Sequence, residues 1–152
     1  MSVALASDHA GFHLKEAIRA YLAERGMPYR DFGVDRPEPV DYPDQALLVA
    51  EAVGRGEFRR GILICGTGLG MVIAANKVPG VRAVVCHDTF SARMARAHND
   101  ANVLAMGERV VGPGLALDVV AAFLDGRFLG ERHAARVAKI LAIEEKYGRA
   151  GH

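Results

Sequence analysis

The chain has 152 residues, of which 51% are hydrophobic and 24% charged, and 19 lysines and arginines nearly balance 18 aspartates and glutamates. This composition fits one globular core, so residues 1–152 are expected to form a single domain. The net charge of +1 argues against a nucleic-acid partner, and no apolar run approaches the roughly 20 residues of a membrane span. With only two cysteines, Cys65 and Cys86, the chain is expected to be a soluble, cytoplasmic protein without a disulfide framework.

Predicted strands and helices alternate along the chain, with turn residues between them. The strands are predicted, in order, at VALAS, YRDFG, GILIC, RAVVC and NVLAM. The helices are predicted at AGFHLKEAIRAYLAERG, QALLVAEAVGRG, MVIAANK, residues 89–97, residues 114–124 and about 131–147. The last of these helices is expected to pack at a binding site or an interface. This alternation predicts an α/β fold with a doubly wound, Rossmann-like parallel sheet of five strands in the order 2-1-3-4-5 and helices on both faces.

Ligands of such sheets bind beyond the carboxyl ends of the strands, where the strand order reverses. Here that point lies between strands one and three. Asp8 and His9 directly follow strand one, and Cys65 with the glycine loop GTGLG, from Gly66 to Gly70, follows strand three. The two loops are therefore expected to face one crevice.

The glycine loop has three interpretations. Its backbone amides could meet an anion or a developing oxyanion at the start of a helix. The loop could also be only a tight strand-to-helix turn. A dinucleotide-binding loop is the third alternative, because Asp88 ends the next strand where a ribose-binding acid would stand. Met71, however, occupies the place where that motif needs a glycine or an alanine.

Two readings of Cys65 remain open at this point. A free cysteine is usually a small buried hydrophobic residue. Cys65, however, ends a core strand at the opening of a helix, where the helix dipole and the loop amides favour the reactive thiolate. Cys86 ends the next strand without a glycine loop, and we expect it to lie in the core.

Histidines and arginines supply further candidates. His9 and His98 lie at element junctions with polar neighbours, whereas His13 and His152 are expected to have surface or structural roles. Arg132 and Arg136 are four residues apart on the last helix, so they project from one face, either into solvent or as a phosphate clamp. No metal-ligand spacing is visible, so neither a metal nor a cofactor is expected.

Longer strings carry a resemblance to a known family. SDHAGFHLK, DYPDQA, ILICGTGLGMVIAANKVPGVRAVVCHD, ARAHNDANVLAMGERVVG and RHAARVAKI resemble, in order and over nearly the whole chain, the ribose-5-phosphate isomerase B family, which includes the galactose-6-phosphate isomerase subunits. The resemblance implies a metal-free interconversion of ribose 5-phosphate and ribulose 5-phosphate by a homodimer or a dimer-based homotetramer. It also implies active sites that are shared between protomers and a small phosphorylated sugar as the partner.

The resemblance also implies roles for single residues. Cys65 matches the family's catalytic base, because Met71 stands where one subgroup has a glutamate base. His98 matches the ring-opening histidine. The enediolate oxygens are matched by Thr67 and the amides of Gly66, Gly68, Leu69 and Gly70. The sugar and phosphate contacts are matched by Asp8, His9, Asn99 and Arg109. The arginines that bind the phosphate are matched by Arg132 and Arg136.

Two alternatives stay open, and one arrangement is expected. The substrate could be another aldose phosphate, such as allose 6-phosphate or galactose 6-phosphate, or the chain could be a non-catalytic nucleotide- or phosphate-binding module. Because the sites are expected to be shared, Cys65 and Arg109 are predicted to lie in different protomers of one site.

Overall fold

The computed structural model describes residues 1–150, with the side chains of residues 1–148, and is built around a five-stranded parallel sheet. His152 lies outside the described residues. The strands are β1 (Val3–Ser7), β2 (Tyr29–Asp31), β3 (Arg60–Cys65), β4 (Ala83–Val85) and β5 (Val103–Gly107). All neighbouring strands pair in parallel.

Helices cover both faces of the sheet, as predicted. They are α1 (Phe12–Glu24), α2 (Tyr42–Gly54), α3 (Leu69–Ala75), α4 (Thr89–Asn99), α5 (Pro113–Asp125) and α6 (Arg132–Ala150), with one 3-10 turn at His9–Gly11. One core packs beneath α1, α4 and α5, and the other beneath α2 and α3. The predicted α/β class is confirmed. Among residues 1–150, no helix is both long and apolar enough to cross a membrane.

The strand order differs from the predicted one at one end of the sheet. It is β2-β1-β3-β5-β4, so β5 pairs with β3 and β4 forms the edge. All five residues of β5 are buried, whereas β4 has only three residues and two of them are half-buried. A short strand with half-exposed side chains is typical of an edge. The reversal between β1 and β3 is unaffected.

The direction of α4 separates two groups of candidate residues. The helix starts at Thr89, just after β4 ends, and runs back to Asn99, just before β5 begins. Its 11 residues rise about 1.5 Å each, or roughly 16 Å in all. His98 therefore lies near the amino-terminal edge of the sheet, whereas Cys65 ends β3 at the carboxyl-terminal edge.

Two helix starts shape the loops around the sheet. Helix α2 begins at Tyr42, earlier than predicted, because Pro43 suits the first turn of a helix and Asp41 precedes it in extended conformation. Asp88 caps α4 by accepting the Ser91 amide at 3.1 Å, which is the usual function of an N-cap aspartate. Asp88 thus has a structural role at the place where a ribose-binding acid was considered.

Candidate active site

A cavity of about 370 Å³ opens at the carboxyl-terminal edge of the sheet. It is lined by residues from the ends of β1, β3 and β5 and from the start of α2, namely Asp8, His9, Ala10, Tyr42, Cys65, Gly66, Thr67, Gly70 and Arg109. The predicted crevice between the loops after strands one and three is confirmed.

Cys65 lies at the floor of this cavity and is only 4% exposed. Its Sγ accepts a hydrogen bond from the Gly68 amide at 3.1 Å. Gly68 adopts φ +82°, a left-handed conformation that a residue with a side chain rarely takes, and this turn directs its amide back to the sulfur. The amide is placed to stabilise negative charge on Sγ at the start of α3.

Cys86 has the same exposure but a different environment. It packs among apolar side chains of the core beneath α4 and α5. Burial raises the pKa of the Cys86 thiol to about 11, and the charge of Asp88 adds to this. The prediction that Cys86 is a core residue is confirmed.

The glycine loop uses part of its hydrogen-bonding capacity internally. Thr67 Oγ1 accepts the Leu69 amide at 3.3 Å, and the Leu69 side chain is 56% exposed. Gly66, Thr67 and Gly70 line the cavity, whereas Gly68 and Leu69 do not. Met71 is fully buried in the core beneath α2 and α3. A dinucleotide-binding loop needs a small residue at this position so that the helix can pack closely on the strand, and the methionine side chain does not fit that requirement.

The loop after β1 presents polar groups to the same cavity. Asp8 Oδ1 accepts the amides of Ala10 at 2.9 Å and Gly11 at 3.1 Å, which fixes the carboxylate. His9 Nδ1 accepts the Val40 amide at 3.2 Å. The neutral His9 ring therefore carries its proton on Nε2, the other nitrogen, which remains a donor.

Arg109 belongs to the Cys65 cavity of its own chain. Its amide donates to the Gly66 carbonyl at 3.1 Å, and a methyl group added at Gly66 would lie 3.3 Å from Arg109 Nη1. The prediction that Cys65 and Arg109 lie in different protomers of one site is wrong. In the predicted order β5 would be two strands from β3, whereas the observed pairing of β3 with β5 places Arg109 beside Cys65.

The other predicted residues line a second cleft, of about 310 Å³, between the end of α4 and the start of α6. Its walls are formed by His98, Asn99, Arg132, His133, Arg136, Val137 and Ile140. Both arginines are exposed and face the cleft one helical turn apart, as the spacing predicts. The two clefts share no lining residue.

His133 stacks on His98 within this second cleft. The ring centroids are 4.1 Å apart and the planes differ by 11°. Burial lowers the pKa of His133, and the nearby His98, Arg132 and Arg136 lower it further. The lowered pKa disfavours a charged His133 ring beside the two arginines.

Two residues that line these clefts, and a third that contacts Gly107, were not predicted. Tyr42 lies before the predicted second helix, which starts at Gln45, although Pro43 signals an earlier helix start. His133 lies between two arginines that were predicted, on the same helix turn. His87 follows Cys86, and its Nε2 accepts the Gly107 amide at 2.9 Å, a contact between neighbouring strand ends that the sequence does not reveal.

Residues 3–140 match the family model described as Ribose/Galactose Isomerase. The chain belongs to this family. It is 52% identical over 144 residues to ribose-5-phosphate isomerase B of Escherichia coli, covering 95% of this chain and 97% of that protein. It is 47% identical to D-erythrulose-4-phosphate isomerase of Pectobacterium atrosepticum, covering 92% of this chain and 93% of that protein.

A solved structure of a family member has the same fold. Ribose-5-phosphate isomerase B of Clostridium thermocellum superposes with a TM-score of 0.95 at 58% identity and covers 97% of this chain and 99% of that one. Within residues 1–150, no three His, Cys, Asp or Glu side chains are grouped so that they could hold a metal ion.

Proposed function

We propose that this protein interconverts ribose 5-phosphate and ribulose 5-phosphate in the cytoplasm, through an enediolate and without a metal or other cofactor. The observation that carries the proposal is the hydrogen-bonded sulfur of Cys65 at the floor of a polar cavity. Aldose–ketose isomerisation needs a base, donors for an enediolate and an anion-binding group, and each of these is available in the two clefts.

In the proposed mechanism, the Cys65 thiolate takes the proton from C2 of the open-chain aldose and returns it to C1. A second proton is transferred from O2 to O1, so the carbonyl moves from C1 to C2 and no proton is gained or lost overall. Thr67 and the Gly66 and Gly70 amides stabilise the enediolate oxygens, since fixed donors act most strongly where charge develops. Asp8, His9, Asn99 and Arg109 hold the hydroxyl and phosphate groups of the sugar.

The active site is proposed to form between two copies of the chain. His98, Arg132 and Arg136 lie near the amino-terminal edge of the sheet, about one helix length from Cys65. A two-fold axis that brings the cleft of one copy against the cavity of the other would complete two identical sites. We therefore propose a homodimer or a dimer-based homotetramer as the active form.

An isomerase assay in the presence of EDTA tests this function. We expect turnover of ribose 5-phosphate with EDTA present, and lower kcat/KM for allose 6-phosphate, galactose 6-phosphate and D-erythrulose 4-phosphate. A higher kcat/KM for one of these compounds would identify it as the preferred substrate of the same type of reaction. Binding of AMP or NAD without turnover of any sugar phosphate would instead support a non-catalytic binding module.

Mixing two impaired variants, assayed at a substrate concentration well below KM, tests the composite site. Cys65→Ala and Arg136→Ala should together recover about a quarter of the normal activity after dissociation and reassembly, since half of the dimers are then mixed and each has one intact site. The matched control mixes Cys65→Ala with Arg109→Ala. Both of these residues lie in one cavity, so no activity should return. Equal recovery from both mixtures would contradict the composite site.

His98 is proposed to open the furanose ring by proton transfer. His98→Asn keeps a polar side chain but removes the titrating group, so turnover of cyclic ribose 5-phosphate should fall much more than proton exchange at C1 of ribulose 5-phosphate, which has no furanose ring to open. Equal losses in the turnover and exchange assays would assign His98 another role.

A further inference from the structure

His87 makes an unusual contact at the edge of the sheet. Strand β4 ends at Val85, and the backbone ladder to β5 ends with the Cys86 amide, which donates to Ala105. Further along β5, the amide of Gly107 donates to His87 Nε2 at 2.9 Å. A side chain thus takes the place that a backbone carbonyl has in a continued parallel ladder.

The segment held by His87 is also part of the Cys65 cavity. The amides of Glu108 and Arg109 donate to the carbonyls of Cys65 at 2.9 Å and Gly66 at 3.1 Å. A methyl group on Gly107 would lie 2.5 Å from Thr67 Cα, so the two loops touch through their backbones and tolerate no side chain between them. A shift of Gly107 would therefore move both the Arg109 guanidinium and the glycine loop.

The contact requires a neutral ring. Nε2 can accept the Gly107 amide only when its lone pair is free, so the proton of neutral His87 is on Nδ1. A protonated ring would present N–H to N–H and lose the bond. We propose that neutral His87 is a positioning residue, which holds Gly107 and through it Arg109 and the glycine loop, and that its protonation releases this segment and lowers activity.

The surrounding charges set the direction of the pH effect. Titratable groups on the adjoining elements are Asp88 on the same loop, Cys65 at the end of β3, and Glu108 and Arg109 after β5. Burial lowers the pKa of His87, and Asp88 opposes this in part. A histidine with a lowered pKa in the folded state is stabilising when neutral, and this contribution is lost as the pH falls below about 6.5 and through the lowered value.

The first experiment follows the unmodified protein without substrate by NMR. With uniform 15N labelling, His87 should show the Nδ1–H tautomer at pH 8, and the Gly107 amide resonance should shift with the same midpoint as the His87 ring. An Nε2–H tautomer at pH 8, or a Gly107 amide that does not follow the ring titration, would overturn the proposal. This measurement does not depend on the role of Cys65, whereas the effect on activity rests on the proposed isomerase function.

Two variants test the consequence for activity. His87→Gln keeps an acceptor near the position of Nε2 but does not titrate, and His87→Leu has similar size without an acceptor. At pH 8 we expect the leucine variant to lose about tenfold in kcat, because a buried amide is left unpaired, and the glutamine variant to stay within about threefold of the unmodified protein.

The pH dependence separates positioning from simple packing. Titration of the substrate phosphate and of other site groups affects both proteins, so the ratio of kcat for His87→Gln to kcat for the unmodified protein removes these effects. This ratio should rise as the pH falls from 8 to 5.5. A constant ratio, or equal losses for the glutamine and leucine variants, would refute the role of the His87 acceptor, and neither outcome would bear on Cys65 as the base.

Discussion

Replacing Cys65 by alanine is expected to lower kcat for ribose 5-phosphate by at least about a hundredfold, the lower end of the effect of losing a general base. The Sγ atom that accepts the Gly68 amide is then missing, and no other residue that lines the cavity carries a sulfur. Substrate affinity, measured by calorimetry, should change much less, since the phosphate and hydroxyl contacts involve other residues.

The matched control for this experiment is Cys86→Ala. Cys86 is equally buried but packs among apolar side chains and is held in the thiol form by burial. Its removal should leave kcat near the normal value. Near-normal turnover by Cys65→Ala would exclude Cys65 as the base, whatever the control shows.

Replacing Arg136 by alanine is expected to raise KM for ribose 5-phosphate by about ten- to a hundredfold, because a lost charged hydrogen bond costs roughly 1.5 to 3 kcal/mol. Arg132 and Arg136 face the second cleft one helical turn apart, so either guanidinium can contact the same phosphate. The phosphate is remote from C1 and C2, and its binding energy also positions these atoms, so kcat should fall as well.

The measurement that checks this prediction is the ratio of kcat/KM for ribose 5-phosphate to that for ribose. Truncating either arginine should reduce the ratio sharply. Lys139→Ala is the matched control, because it removes one positive charge from the same helix outside the cleft. A ratio that is unchanged in Arg132→Ala and Arg136→Ala would assign both side chains to a solvated helix face.

The sequence was most informative where function depends on strand ends. Asp8 and Cys65 could be placed in one cavity because the ends of β1 and β3 meet wherever the strand order reverses between them. The core position of Cys86 could be predicted because its strand end carries no glycine loop. These inferences require only the identity of the strands.

The wrong strand order, the wrong placement of Arg109 and the missed contact of His87 share one physical cause. Three apolar residues in β4 do not distinguish an edge strand from a central one, since this depends on which neighbour completes the sheet. That choice also decides whether β5 lies beside β3, and the observed pairing places Arg109 beside Cys65 of its own chain. The expectation of shared sites had assigned Arg109 to the other protomer. His87 was missed for a similar reason, because its contact with Gly107 exists only where β4 ends beside β5.

The direction of α4 has a consequence for how this protein would respond to dilution. The helix carries His98 away from the cavity of its own chain. With the composite site proposed above, an isolated copy can be fully folded and still lack the groups that its partner contributes to the sugar. Specific activity would then decline at concentrations where the copies separate, while the circular dichroism of the helices stayed constant. A substitution that weakens the contact between copies could abolish turnover without touching either cleft or lowering the melting temperature of the single chain.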